Sequence, residues 1–233
     1  RELDDPSDER CEHCANCAGP FVSAEVDDGL VREATHFLKR SYQPIEPRKR
    51  WPPGLGDGDL RGGIPENRRL EEGRALAIYG DAGWGRLVRR GKQGTGGFDE
   101  ELVEAVAEMI EEEWAPDPFP TWVTAVPSLR HPTLVPGFAE ALAGRLGLPY
   151  RTALEKQRET APQKTMENSV QQARNAIGAF AALPGEVSAD PVFLVDDMVD
   201  SRWSLTVCGS ALLEAGSGPV FPVVLGKTTK GSD

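Results

Sequence analysis

The chain has 233 residues, of which 39% are hydrophobic, and a formal net charge of −11. This length allows one large or two smaller domains, and the hydrophobic fraction is sufficient for a buried core. No apolar run approaches the roughly 18–20 residues that a membrane span requires, and no charged start leads into an apolar stretch, as a secretory signal would need. We therefore expect a cytoplasmic protein without a membrane partner.

The charge is distributed unevenly along the chain. Residues 1–29 have a net charge of −7, residues 30–95 of +6 and residues 96–233 of −10. A basic middle between acidic flanks is typical of a surface that meets phosphate groups. An Arg-rich, solvated loop region explains the same pattern equally well, so both interpretations stay open.

Three of the four cysteines lie close together near the start, as Cys11, Cys14 and Cys17. Two C-x-x-C spacings let thiolates converge on one zinc ion, and a chain without a signal peptide favours metal over disulfides. A structural zinc site takes four ligands, so we expect the fourth ligand upstream of Arg1 and an incomplete site here. The alternative is three free cysteines in an acidic tail.

The run Cys11-x-x-Cys14-x-x-Cys17, followed by Ala18-Gly19-Pro20, resembles the end of the zinc subdomain of RecQ-family DNA helicases. Residues 1–28 would then be a remnant of that subdomain. The resemblance implies that an ATP-dependent helicase motor, which unwinds DNA in repair and recombination, precedes this chain. The chain itself has no G-x-x-x-x-G-K-[ST] phosphate loop, so we expect no ATP hydrolysis from it.

The basic middle, residues 29–118, begins with a predicted helix from Gly29 to about Arg40 and contains a second predicted helix at 98–114. Between them lie two clusters of cations, one beside an aromatic ring. Cations neutralise phosphates and an indole stacks on bases. The predicted DNA contacts are Arg48, Lys49, Arg50, Trp51, Arg89, Arg90 and Lys92. For Trp51, burial under a loop is the alternative.

RecQ-type helicases commonly carry a winged-helix DNA-binding module directly after the zinc subdomain. Residues 29–118 occupy that position and have a compatible charge, but they contain no clear helix-turn-helix pattern. The resemblance therefore implies at most a reduced, winged-helix-like region with a linking helix. With DNA as a partner, the protein would be associated with the nucleoid.

From Thr121 onward, strands alternate with helices, which predicts βαβ units and a parallel sheet. We predict strands at 121–126, after Tyr150, at 191–195 and at 220–225, with helices at 136–146 and 204–214. Residues 119–233 are thus expected to form an α/β domain, a parallel sheet flanked by helices. Ligands of such sheets bind beyond the carboxyl ends of the strands, where Asp196, Asp197 and the 128–130 loop fall.

Adjacent carboxylates after a hydrophobic strand are costly unless they accept hydrogen bonds or face a cation. Vicinal ribose hydroxyls can donate such bonds to Asp196 and Asp197. The backbone N–H groups that open the next helix can then hold a phosphate. The alternative is an acidic helix cap on an ordinary α/β fold.

The segment 192–204, V-F-L-V-D-D-M-V-D-S-R-W-S, is similar to the ribose-phosphate signature of type I phosphoribosyltransferases, and especially of ComF-like members. The Val126-Pro127 loop, Gln163 and residues 174–180 fit the same family. The resemblance implies that Asp196 and Asp197 contact ribose hydroxyls. It places the 5′-phosphate near Asp200, Ser201, Arg202, Trp203 and Ser204. It places pyrophosphate and magnesium near Ser128, Leu129 and Arg130.

The phosphate loop departs from the family pattern, which has glycine between small hydroxyl residues. Arg202 stands where backbone must approach the phosphate, and Asp200 adds a negative charge beside it. We therefore predict an intact phosphoribosyltransferase-like fold that binds a nucleotide or sugar phosphate without transferase activity. The second prediction is an active, magnesium-dependent phosphoribosyltransferase that uses phosphoribosyl pyrophosphate, and the third is a structural interaction domain.

Some RecQ-like bacterial helicases carry a phosphoribosyltransferase-like domain at the carboxyl end. The zinc motif, the basic middle and the α/β half together thus predict the accessory, carboxyl-terminal region of such a helicase, with its motor outside this chain.

Overall fold

A computed structural model describes residues 26–55, 60–94, 96–159 and 169–229. Its contacts divide the chain into two units, residues 1–37 and 38–233. The predicted zinc ligands Cys11, Cys14 and Cys17 lie outside the described residues. Within the described part, no group of three or more His, Cys, Asp and Glu side chains could hold a metal ion. None of the helices described is long and apolar enough to cross a membrane.

The first unit is described only at its end, where helix α1 (Asp28–Lys39) begins. The backbone N–H of Leu30 donates to Oδ1 of Asp27 at 2.9 Å, which caps the first turn of the helix. Leu30, Val31 and Phe37 are exposed. The bounds of α1 confirm the helix that was predicted from Gly29 to about Arg40.

The second unit is an α/β structure. Its strands are β1 (Gln43–Ile45), β2 (Gly73–Ile78), β3 (Trp122–Ala125), β4 (Leu154–Lys156), β5 (Phe180–Ala182), β6 (Val192–Val199) and β7 (Val220–Lys227). Its helices are α2 (Gly85–Gln93), α3 (Glu100–Glu108), α4 (Leu134–Leu146), α5 (Ser169–Ala176) and α6 (Trp203–Glu214). A 3₁₀ turn spans Glu66–Arg68, and α3 continues as a π-helix over Met109–Trp114.

The main sheet has the order β1-β2-β7-β6-β3, and every neighbouring pair except β1–β2 is parallel. This confirms the predicted α/β class with a mainly parallel sheet. Strand β7 lies inside the sheet, because β2 pairs along one of its edges and β6 along the other. Strands β1 and β2 come from the basic middle, so the sheet includes strands from both sides of the boundary predicted at 118/119. Strands β4 and β5 form a separate antiparallel pair.

Apolar side chains cover both faces of the sheet. On one face, residues of α2, α3 and α4 pack against Phe193, Val195 and Val223. On the other face, α6 contributes Leu205, Cys208 and Leu212 to a second cluster. Because Val88 and Leu102 belong to the first cluster, the part of the basic middle that lies in the second unit shares a hydrophobic core with the α/β half.

Strand β6 is longer than predicted. The sequence suggested an end at Val195, but pairing with β7 continues as far as Val199, which lies opposite Lys227. Asp196 and Asp197 therefore lie inside the strand, three and two residues before its end. Polar residues are tolerated there because both are only partly buried.

Candidate functional site

Asp196 and Asp197 lie near the carboxyl end of the parallel sheet, the edge at which ligands of open α/β folds bind. Successive strand residues point to opposite faces of a sheet. The two carboxylates consequently have different surroundings, one on the side of helix α2 and one on the side of helix α6. The sequence predicted their common location but not this separation.

Asp197 faces helix α2, where its Oδ2 atom forms a salt bridge with Nζ of Lys92. The side chain of Asp197 is 14% exposed and that of Lys92 is 35% exposed, so solvent reaches the pair. A carboxylate accepts up to about four hydrogen bonds, and the ammonium group occupies only part of this capacity. The pair is neutral as a whole and can still accept hydroxyl donors.

The first residues of helix α2 fix its position. Oδ1 of Asp81 accepts hydrogen bonds from the N–H groups of Gly83 and Gly85 at 3.0 and 2.9 Å. A Cβ atom at Gly85 would lie 2.1 Å from the carbonyl oxygen of Ile78. Only glycine lets the helix begin this close to the end of β2, and Lys92 follows about two turns later.

Asp196 is half-buried on the side of helix α6. Burial raises the pKa of its carboxyl group to about 8, and the nearby charge of Asp197 contributes to the rise. Lys92 opposes the rise, as does the N–H of Asp197, which donates to Oδ1 of Asp196 at 2.8 Å. At neutral pH the protonated form of Asp196 is favoured, and this form both donates and accepts hydrogen bonds.

Among the described residues, Cys208 and Lys156 are titratable neighbours of Asp196 on this face. Burial raises the pKa of the Cys208 thiol well above its usual range, and the charge of Asp196 adds to it. Burial lowers the pKa of Lys156, while Asp196 acts in the opposite direction. These couplings indicate that the three groups lie close together on the α6 side.

The loop after β3 lies at the same edge, because β3 runs parallel to β6 with Ala125 opposite Val195. Oγ of Ser128 accepts a hydrogen bond from the N–H of His131 at 3.3 Å. Leu129 and Arg130 are exposed. The structure thus places the 128–130 loop and the two carboxylates at the same edge of the sheet, as predicted.

The loop expected to hold a phosphate, residues 200–204, is bonded to other parts of the protein. Arg202 has a left-handed backbone with φ of 67°, which costs a non-glycine residue about 1 kcal/mol. Its Nη1 atom donates to the carbonyl oxygen of Glu46 at 2.9 Å, so the side chain is directed at the basic middle. Asp200 accepts a hydrogen bond from Oγ1 of Thr228 at 3.1 Å.

Trp203, the first residue of α6, is completely buried. Its ring stacks on that of Trp51, with centroids 5.7 Å apart and an interplanar angle of 8°. The guanidinium carbon of Arg48 lies 3.8 Å from the centre of the Trp203 ring. Nε1 of Trp203 donates to Oγ of Ser169 at 3.1 Å. The side chain of Trp51 is thus buried against Trp203, which agrees with burial, the alternative to a DNA contact considered for it.

The seven predicted DNA contacts divide into two groups. Four interact within the protein: Arg48 and Trp51 in the aromatic stack, Lys92 with Asp197, and Arg90 with Asp99. The other three are exposed, and inside the described ranges their side chains have no ion pair: Lys49, Arg50 and Arg89.

The residues at 128–130 and 196–197 fit magnesium only together with a phosphate-bearing ligand. Magnesium is usually bound by one or two carboxylates plus substrate phosphates. Asp197 already has an ammonium partner, and the raised pKa of Asp196 disfavours its ionised form. The ligand's own phosphates would therefore have to supply most of the oxygen ligands.

No protein-family model matches the chain, and no curated protein matches it either. Solved structures do resemble it. The allosteric regulatory enzyme of purine biosynthesis aligns with 53% of this chain at 24% identity and a TM-score of 0.34. Glutamine phosphoribosylpyrophosphate amidotransferase from B. subtilis, complexed with ADP and GMP, aligns with 53% at 22% identity and a TM-score of 0.37. The chain spans about a quarter of each, 25% and 26%.

Adenine phosphoribosyltransferase from Leishmania donovani aligns over 90% of this chain and 86% of its own, with 14% identity and a TM-score of 0.39. The enzyme from Leishmania tarentolae aligns over 57% and 73%, with 14% identity and a TM-score of 0.37. Because all four TM-scores are below 0.5, we take neither a ligand nor an activity for this chain from these structures.

Proposed function

We propose that the α/β unit binds a ribose phosphate or nucleotide at Asp196 and Asp197 without catalysing phosphoribosyl transfer. The observation that supports this most is the Asp197–Lys92 ion pair at the ligand-binding edge of the sheet. A carboxylate with a bonded cation can accept ribose hydroxyls without repelling the phosphates of the same ligand. Protonated Asp196 adds one donor on the other side of the strand.

The residues of the 200–204 loop are the reason why we propose that the protein does not transfer a phosphoribosyl group. A phosphate bound close to backbone N–H groups requires a residue without a side chain, and Arg202 has one. Its bond to Glu46 ties the loop to the chain after β1. The charge of Asp200 would oppose a phosphate dianion in the same loop. Ligand affinity then depends on the carboxylate end of the site, and a bound 5′-phosphate is not held in the geometry that transfer needs.

We further propose that the chain is the accessory, carboxyl-terminal region of a RecQ-like DNA helicase, whose motor unwinds DNA in repair and recombination. The Cys11, Cys14 and Cys17 motif supports this proposal, together with the basic segment. Lys49, Arg50 and Arg89 are the exposed cations that would contact DNA. Zinc at the cysteine motif and association with the nucleoid belong to the same proposal.

Calorimetric titration with phosphoribosyl pyrophosphate and magnesium tests the ligand site. We expect binding by the wild type and at least about tenfold weaker binding by Asp197→Asn, because a lost charge-assisted hydrogen bond costs about 1.5–3 kcal/mol. The matched control is Asp190→Asn, an exposed carboxylate that precedes the same strand. The site would be excluded if the wild type did not bind the compound. It would also be excluded if the wild type and Asp197→Asn bound it with equal affinity.

Two further measurements separate the proposals. Addition of nucleobases to the phosphoribosyl pyrophosphate complex should release no pyrophosphate, and steady release would establish an active transferase instead.

Fluorescence anisotropy of a labelled oligonucleotide should report salt-dependent binding to the protein, which the double substitution Lys49→Gln with Arg50→Gln weakens. Affinity that is independent of salt and of these residues would argue against a DNA contact in the basic middle.

A further inference from the structure

An open groove of about 710 Å³ lies between the segment after β1 and the loop before α6. Four cations, three carboxylates and one proline line it: Arg48, Lys49, Arg50, Arg202, Glu46, Glu71, Glu72 and Pro47. It involves neither Asp196 nor Asp197. Its lining combines Arg48, Lys49 and Arg50, which were predicted to contact DNA, with Arg202, which was predicted to lie near a 5′-phosphate.

Two guanidinium groups are fixed in this groove by reciprocal bonds. Nε of Arg48 donates to the carbonyl oxygen of Ser201 at 2.7 Å. Nη1 of Arg202 donates to the carbonyl oxygen of Glu46 at 2.9 Å. Each arginine is bonded to the backbone beside the other, which holds the two positive groups near one another. Burial lowers the pKa of Arg48, and the charge of Arg202 contributes to the fall, which brings it to about 10.

No carboxylate neutralises this arginine pair inside the described ranges. None of the four groove cations has a carboxylate oxygen within 4.0 Å of its charged nitrogens there. Glu72, which lines the groove, is bonded to Arg74 instead. Like charges close together are unfavourable, and an added anion would remove this cost. Guanidinium groups that are already oriented also lose little freedom when they bind an oxyanion.

We propose that this groove binds a small diphosphate compound through Arg48, Lys49 and Arg202. A volume of about 710 Å³ lies within the roughly 300–1,000 Å³ of small-molecule sites. Its lining has no aromatic ring on which a base could stack, and its three carboxylates can accept hydroxyl or amino groups of a small ligand. The proposal does not depend on the ribose-phosphate site.

Titration of the full chain with inorganic pyrophosphate in the presence of EDTA tests the groove, because magnesium-dependent binding at the β6 carboxylates is then suppressed. We expect saturable binding that Arg202→Gln weakens by roughly tenfold or more, as for a lost charge-assisted bond. Lys49→Gln should weaken it severalfold. Arg151→Gln, an exposed arginine that is not part of the groove lining, is the matched control and should leave the affinity unchanged.

Lys49 is exposed, so its substitution tests the groove even if Arg202→Gln disturbs the fold. Pyrophosphate that does not bind, or that binds equally well to wild type, Lys49→Gln and Arg202→Gln, would overturn the proposal. So would an oligonucleotide that binds in an Arg202-dependent manner while pyrophosphate does not, because the groove would then recognise nucleic acid.

Discussion

The protein contains two pairs of like charges and stabilises them in different ways. Asp196 and Asp197 are adjacent on β6, where Lys92 bonds to one carboxylate and a raised pKa favours the protonated form of the other. Arg48 and Arg202 are also held near one another, but their bonds go to neutral carbonyl groups. Within the described residues, the carboxylates are therefore balanced by the protein, whereas the arginines keep their full positive charge.

This difference determines what each region can bind. A balanced carboxylate pair suits neutral hydroxyl donors such as those of ribose, because it neither attracts nor repels the rest of the ligand strongly. An unbalanced guanidinium pair suits a phosphate anion. We therefore propose two kinds of recognition chemistry in one protein chain, and we expect that each can be removed by substitutions that leave the other intact.

Trp203→Ala should have the largest effect, because it removes the ring on which Trp51 stacks and over which Arg48 lies. We expect the free energy of unfolding to fall by about 3–5 kcal/mol, the usual cost of truncating a fully buried aromatic residue. Urea denaturation measures it. Trp203→Phe is the control, since it keeps one aromatic ring and loses only the second ring of the indole and the bond to Ser169, which is worth about 1 kcal/mol. Equal stability of the two variants would show that the aromatic ring at this position does not contribute to the stability of the fold.

Lys92→Met should have an intermediate effect, because it leaves the partly buried carboxylate of Asp197 without its cation. We expect a loss of about 1–3 kcal/mol in the free energy of unfolding. The double variant Lys92→Met with Asp197→Asn should recover part of this loss in a double-mutant cycle. Arg89→Met on the same helix is the matched control and should change stability little. Additive losses in the cycle would mean that Lys92 and Asp197 do not stabilise one another.

The pH dependence of stability should show the smallest effect. The folded state raises the pKa of Asp196 to about 8, so between roughly pH 4 and pH 8 it binds more protons than the unfolded chain. Its contribution to stability is therefore largest below pH 4 and is lost as the pH rises through 8. Solvent reaches the partly buried carboxyl group and screens much of this shift, so we expect Asp196→Asn to reduce the decline by only about 1 kcal/mol in urea denaturation between pH 5 and pH 8. Identical pH profiles would place Asp196 in an ordinary aqueous environment.

The sequence predicted the α/β half better than the middle. Hydrophobic runs such as 192–195 and 220–225 identify buried strands directly, and both were located correctly. Strand β2 was missed because its sequence, Gly73-Arg-Ala-Leu-Ala-Ile78, is rich in small residues and follows an arginine-rich loop. Once folded, however, β2 lies between β1 and β7 and shares their core.

The candidate site was predicted only in part for a related reason. Asp196, Asp197 and the 128–130 loop were found because strand ends are visible in the sequence. The partner of Asp197, Lys92, is 105 residues away and its contact depends on how α2 packs, for which no local pattern exists. Likewise, the bond from Arg202 to Glu46 joins segments 156 residues apart. Such contacts follow from the tertiary structure alone.

The most direct measurement is calorimetric titration of phosphoribosyl pyrophosphate with magnesium into two variants, Asp197→Asn and Lys49→Gln with Arg202→Gln. In parallel titrations with magnesium and with EDTA, we predict that Asp197→Asn loses at least about tenfold in the magnesium-dependent affinity, whereas the groove variant loses only the binding that persists in EDTA. The reverse result, with affinity retained by Asp197→Asn and lost by the groove variant, would contradict a ribose-phosphate site at β6 and move ligand binding to the arginine pair.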